Sequence, residues 1–135
     1  GSIMVEAFGH SLKIPTDPNT GLPTAERKHG PFKILKVFDK SSVKLYRALV
    51  TREHLKTVTI KFYRYGPSAM DENYFNITLE NALIVNISPS LPNALNPENQ
   101  SYSNMEAVTF VYQKITWHWV PEDIRFGDTW DTARE

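Results

Sequence analysis

The chain has 135 residues, with 15 Lys+Arg against 15 Asp+Glu, four histidines and no cysteine. One domain with one hydrophobic core is the expectation at this length. A formal net charge of zero gives no global field favouring nucleic acid or an acidic membrane, and removes one barrier to self-association. The missing cysteine excludes disulfides, zinc-thiolate sites and thiol chemistry. No stretch reaches the roughly 18 apolar residues of a membrane span, so membrane insertion is not expected. No basic segment leading into an apolar run marks a secretory signal.

Residues 3–14 alternate loosely, with Gly9 marking a bend or bulge. Residues 15–31 (PTDPNTGLPTAERKHGP) are dense in proline and turn residues and read as a long loop. Loops of that length are usually functional or disordered, so the segment is either disordered or ordered by a partner subunit. Residues 32–38 read as a strand with Phe32, Ile34 and Phe38 on one face and Leu35 and Val37 on the other. Asp39, Ser41 and Ser42 offer N-cap oxygens for a helix over about 43–53. Its apolar stripe is expected to be Leu45, Tyr46, Leu49 and Val50, covering a sheet or barrel.

Residues 57–63 alternate cleanly, with Val58, Ile60 and Phe62 inward. A turn is expected over 66–68 and 71–73. A long strand follows over 74–87, with a bulge or bend near Asn81. Residues 89–103 form a second polar loop. The last expected strand, 106–119, carries Val108, Phe110 and Tyr112 on one face and Val111, Ile115, Trp117 and Trp119 on the other. An acidic, polar tail containing Trp130 closes the chain. Strands apolar on both faces need a second cover, from the helix, a loop or another subunit.

No constellation predicts catalysis, so the chain is not expected to be an enzyme, and no cofactor is expected. His10, His29, His54 and His118 lack the spacing of a helical metal site. Asp17-Pro-Asn19-Thr-Gly21 places its glycine one position early for a calcium loop and reads as a turn. Glu122 and Asp123 are adjacent rather than apposed, which does not suit acid–base work. The N-x-S/T triplets at Asn76, Asn86 and Asn99 are of a kind that arises by chance. Arg47, Arg52, Lys56, Lys61 and Arg64 suggest a solvated face or a charged inter-subunit contact. Trp117 and Trp119 read as core or interface anchors; an aromatic sugar platform is the alternative.

Taken together, several stretches resemble the haemolysin-coregulated protein (Hcp) family of the bacterial type VI secretion system. They are HSLKIPTDPNTG at 10–21, HGPFKILKVFDKSS at 29–42, LYRALVT at 45–51, LKTVTIKFYR at 55–64, YFNITLENA at 74–82, MEAVTFVYQKITW at 105–117 and DTW at 128–130. Their order and spacing cover almost the whole chain.

The resemblance implies a mainly β fold: an antiparallel β-barrel-like domain with one short α-helix, assembling as a hexameric ring. It implies one Hcp-like domain over 1–135, without the further N-terminal strand that family members usually carry. It implies an inner-tube subunit whose stacked rings carry or stabilise effector proteins in the lumen. Partners would be copies of itself, effectors, and the contractile sheath, baseplate and spike proteins, with no nucleic acid. The protein would reside in the bacterial cytoplasm and then leave through the machine. The subunit interface is expected to use the extended loop (Pro15, Asp17, Asn19, Gly21, Pro23) together with Trp117 and Trp119. The alternative function is a carbohydrate- or ligand-binding β module using the two tryptophans.

Overall fold

The computed structural model describes residues 2–66, 71–90 and 104–130. The elements in chain order are β1 (Ala7–Gly9), β2 (Leu12–Lys13), β3 (Lys28–His29), β4 (Phe32–Val37), α1 (Ser41–Val50), β5 (Leu55–Tyr65), β6 (Asp71–Ser90), β7 (Met105–Val111), β8 (Lys114–Trp119) and β9 (Ile124–Thr129). Every strand pairing is antiparallel. Mainly β with one short helix is the class the sequence predicts. The chain divides into two compact units, residues 1–53 with 83–111 and residues 54–82 with 112–135.

In the first unit β4 lies between β1 and β7, and β7 also pairs with the C-terminal half of β6. Phe32, Ile34 and Lys36 share one face of β4 and stand opposite Phe110, Val108 and Glu106 of β7. All six are buried, Phe32 and Val108 completely. Four of them are the apolar core that strand alternation predicts. The other two, Lys36 and Glu106, are an ion pair inside it.

The helix starts two residues earlier and ends three residues earlier than expected. Asp39 Oδ1 accepts the Ser41 amide at 2.8 Å, and Ser42 Oγ accepts the Asp39 amide at 3.1 Å, which fixes the first turn. Thr51 and Arg52 close the other end, with Arg52 in the left-handed region at φ 53°. The buried face also differs from the expected stripe. Ala48 is buried and Leu45 and Leu49 are half-buried, whereas Tyr46 and Val50 are exposed, Val50 by 78%. At 100° per residue, Leu45, Ala48 and Leu49 fall on one side, while Tyr46 and Val50 are turned away from it.

In the second unit the N-terminal half of β6 lies between β5 and β8, and β8 pairs with β9. Cross-strand rows align Val58–Leu79–Ile115, Ile60–Ile77–Trp117–Phe126 and Phe62–Phe75–Trp119–Ile124 on one face. Leu79 and Ile115 are fully buried and Ile77 nearly so. This is the inward set expected of β5, extended across the sheet.

Four expectations need correction. Asp71, Glu72 and Asn73 are not a turn but the start of β6, paired with Tyr65, Arg64 and Tyr63. The expected strand over 106–119 is two strands, interrupted at Tyr112 and Gln113. The break in β6 lies where expected: Asn81 has φ 52°, and the register against β7 shifts between Ile84 and Asn86. Each half of β6 thus meets its own partner strand. The segment read as a polar tail contains β9. Finally, the polar-loop reading fails at Pro89 and Ser90, which pair with Glu106 and Met105. The rest of that expected loop, and the expected turn at 67–68, lie outside the described residues.

Candidate subunit-contact surfaces

The segment read as a long loop is a β-ribbon arm held by its own backbone. β2 pairs with β3 through Leu12–His29 and Lys13–Lys28, and a further antiparallel bridge joins Thr16 to Pro23. The Asp17 amide donates to Leu22 O at 2.8 Å and the Thr24 amide to Pro15 O at 2.9 Å.

The tip follows from its side chains. Asp17 Oδ1 accepts the Asn19 amide at 2.7 Å and the Asp17 carbonyl accepts the Gly21 amide at 2.8 Å, while Thr20 Oγ1 accepts the Leu22 amide at 3.2 Å. Gly21 takes φ 73°, a conformation glycine reaches without Cβ strain. The DPNTG run is therefore a turn, as its spacing predicts. Pro15 and Asp17 are half-buried; Asn19, Gly21 and Pro23 are exposed.

The base of the arm is tight. The Gly30 amide donates to Ser11 O at 2.8 Å, and a Cβ at Gly30 would sit 2.8 Å from Ser11 Oγ and 3.0 Å from Ser11 O. His29 is buried nearby, and the His10 ring lies 5.4 Å from Phe32. Burial, and then the neighbouring His29, hold the His10 imidazole below its ordinary pKa.

Trp117 and Trp119 share a face of β8, in the unit that does not contain the arm. Both are half-buried and both have aromatic partners. Trp117 stacks on Phe126 with centroids 6.4 Å apart, and Trp119 meets Tyr74 edge-on at 6.1 Å. A bulge between Phe62 and Tyr63 leaves Tyr74 outside the β5–β6 register. The Arg64 guanidinium lies 4.9 Å from the Tyr74 ring centroid and 5.4 Å from that of Trp119. These contacts suit packed anchors better than an open sugar platform.

His118, on the other face, hydrogen-bonds to Asp123 Oδ1 at 2.7 Å, and Arg125 Nε donates to the same oxygen at 3.0 Å. Those bonds, Arg125 first, hold the Asp123 carboxyl below the usual range. His118 is thus tied to the Asp123 carboxylate beside it.

Two features escape the sequence reading. The first is the Lys36–Glu106 pair. Lys36 Nζ lies 2.9 Å from Glu106 Oε2, 3.1 Å from Ser42 Oγ and Val37 O, and 3.3 Å from Asp39 Oδ1. Ser42 Oγ also donates to Glu106 Oε2. The pair ties β4, β7 and the start of α1 together. Its signal was parity, since Lys36 continues Phe32–Ile34 and Glu106 precedes Val108–Phe110. The second is the apolar pair on β9, Ile124 and Phe126, exposed by 58% and 69%. Their alternation was the available signal.

An open recess of about 440 Å³ in the second unit is lined by Lys56, Glu80, Asn81, Gln113, Lys114 and Thr129. Glu80 lies 3.9 Å from Lys114, and Asn81 bonds both His54 and Gln113 at 3.0 Å. No nucleophile–base pair is formed there. Among the described residues, no cluster of three or more His, Cys, Asp or Glu could hold a metal ion. Among the same residues, no helix is long and apolar enough to cross a membrane.

Residues 1–119 match the family model described as type VI secretion system effector, Hcp. The major exported protein of Pseudomonas aeruginosa PAO1 is 40% identical over 128 residues, spanning 95% of this chain and 74% of that protein. A crystal structure of an Hcp protein superposes with TM-score 0.89 at 32% identity, covering 95% of this chain and 76% of the other. Mutant Hcp1 from E. coli EAEC 042 gives 0.85 at 38% identity, covering 96% and 82%. Secreted protein Hcp3 of P. aeruginosa gives 0.74 at 33%, covering 95% and 75%. The fold is therefore the β-barrel-like class expected, and the chain belongs to the Hcp family of type VI secretion proteins.

Proposed function

We propose that this chain is a structural subunit of a type VI secretion inner tube, forming hexameric rings that stack and hold effector proteins in the lumen. The observation that carries this reading is the match to Hcp proteins along 95% of the chain in both sequence and fold. The two compact units act as one Hcp-like domain. The arm residues Pro15, Asp17, Asn19, Gly21 and Pro23 reach towards neighbouring copies, and Trp117 and Trp119 anchor a surface next to such contacts. The protein works by binding and transport: it is made in the bacterial cytoplasm and leaves through the sheath, baseplate and spike assembly. Export is supported by the relative's name, major exported protein.

Multi-angle light scattering tests the assembly. A ring should give a species near 93 kDa, six times the 15.5 kDa chain, and negative-stain microscopy should show annular particles. A 15.5 kDa species at every concentration would refute the ring. Effector binding is tested by whether co-expressed effectors co-purify with the ring and lose protease resistance without it.

A further inference from the structure

We propose that the open recess of the second unit binds a small oxyanion: a carboxylate or phosphate group carried by a free, low-molecular-weight molecule.

The recess forms where the strands of this unit are irregular. β6 bends at Asn81, which has φ 52°, Tyr112 and Gln113 separate β7 from β8, and β9 ends at Thr129. Register then gathers the lining. Glu80 stands opposite Lys114, and Lys114 opposite Thr129. Glu80 and Lys114 are sequence neighbours of the buried Leu79 and Ile115, so alternation puts the row on the sheet face away from the core. Lys56, Asn81 and Gln113 complete the lining, around a volume of about 440 Å³. Small-molecule sites span roughly 300–1,000 Å³.

Hydrogen bonding decides which atoms are left for a ligand. The His54 imidazole engages Asn81 Oδ1 at 3.0 Å, and Asn81 Nδ2 donates to Gln113 Oε1 at 3.0 Å. Both carboxamide oxygens are therefore used inside the protein, and Gln113 Nε2 keeps its hydrogens to donate. Lys56 has no ion-pair or hydrogen-bond partner among the described residues. Lys114 approaches Glu80 only to 3.9 Å. The Thr129 hydroxyl is shielded from solvent and also lacks a partner among the described residues.

Two ammonium groups against one carboxylate leave the lining with a net positive charge. Its uncommitted polar atoms are mostly donors: Lys56 Nζ, Gln113 Nε2 and the loosely paired Lys114 Nζ. An oxyanion accepts from such a set through charge-assisted bonds, whereas a cation meets only Glu80. The lining offers no aromatic or aliphatic side chain, so the ligand is small and hydrophilic.

Equilibrium dialysis of the purified protein against inorganic phosphate and, separately, succinate tests the site. The expected result is saturable binding of at least one probe, with a single ion per chain. The tighter probe identifies the group recognised. Lys56→Ala and Gln113→Leu should each weaken binding roughly tenfold, the value of one hydrogen bond to a charged group. Glu80→Gln should tighten it roughly threefold by removing the one carboxylate. Lys33→Ala, at an exposed lysine of the first unit, should leave it unchanged. No saturable binding of either probe up to about 50 mM would overturn the proposal. So would unchanged affinity in Lys56→Ala, or an equal loss in Lys33→Ala, which would mark unspecific attraction to lysine. Because Glu80→Gln is expected to tighten binding, weaker binding in that variant would overturn it too.

Discussion

Lys36 and Glu106 show how much one buried pair can decide. Neither side chain has any solvent exposure. Each charge is tolerable only because the other is present, with Ser42 and the Val37 carbonyl completing the shell of Lys36. Removing one partner leaves an isolated charge in the core, at a cost of about 3–5 kcal/mol, whereas replacing both by apolar residues can be nearly neutral. Lys36→Met should therefore lower the urea unfolding free energy by about that amount, and Lys36→Met with Glu106→Leu should recover most of it. A double variant as unstable as the single one would show that the pair is needed for more than mutual neutralisation.

His10 gives a pH dependence of known sign. Its folded-state pKa lies below the ordinary 6.5 because it is partly buried and close to His29. Between the folded and the unfolded value the unfolded chain binds more protons, so this contribution to stability is present above about pH 6.5 and is lost as pH falls through the folded value. The urea midpoint should drop between pH 7.5 and 5.5, and His10→Phe should reduce that drop. An unchanged drop in the variant would assign the effect to other groups.

At the scale of elements, the arm and β9 are where the sequence misled. Proline and turn residues dominate 15–31, and local reasoning reads such composition as loop. The backbone instead pairs across it at Leu12–His29, Lys13–Lys28 and Thr16–Pro23. Those are contacts between residues 7 to 17 positions apart, which no local pattern encodes. At Gly30 the two legs of the arm approach closely at its base, the Gly30 amide donating to Ser11 O at 2.8 Å. Gly30→Val should therefore displace the arm, read as faster proteolysis within 12–29, while the unfolding midpoint of the rest changes less. In β9 the signal was short, two apolar residues alternating before a glycine. The helix was legible in kind but not in facing: Leu45 and Leu49 were identified, and Ala48 between them is the residue that packs deepest.

For the whole molecule, the aromatic residues argue for packing over recognition. Trp117 and Trp119 are occupied by Phe126, Tyr74 and Arg64. Tryptophan fluorescence should accordingly stay unchanged across a glycan panel, and a saturable shift would revive the ligand-binding alternative.

Strand periods, the helix, the break at Asn81 and the family itself were determined by the sequence, because each depends on local alternation or on motif order along the chain. The buried Lys36–Glu106 pair, the pairing of the arm and the exposure of Phe126 were decided only by tertiary structure. They arise where distant strands come into register, and whether a side chain is covered depends on the neighbour it is given.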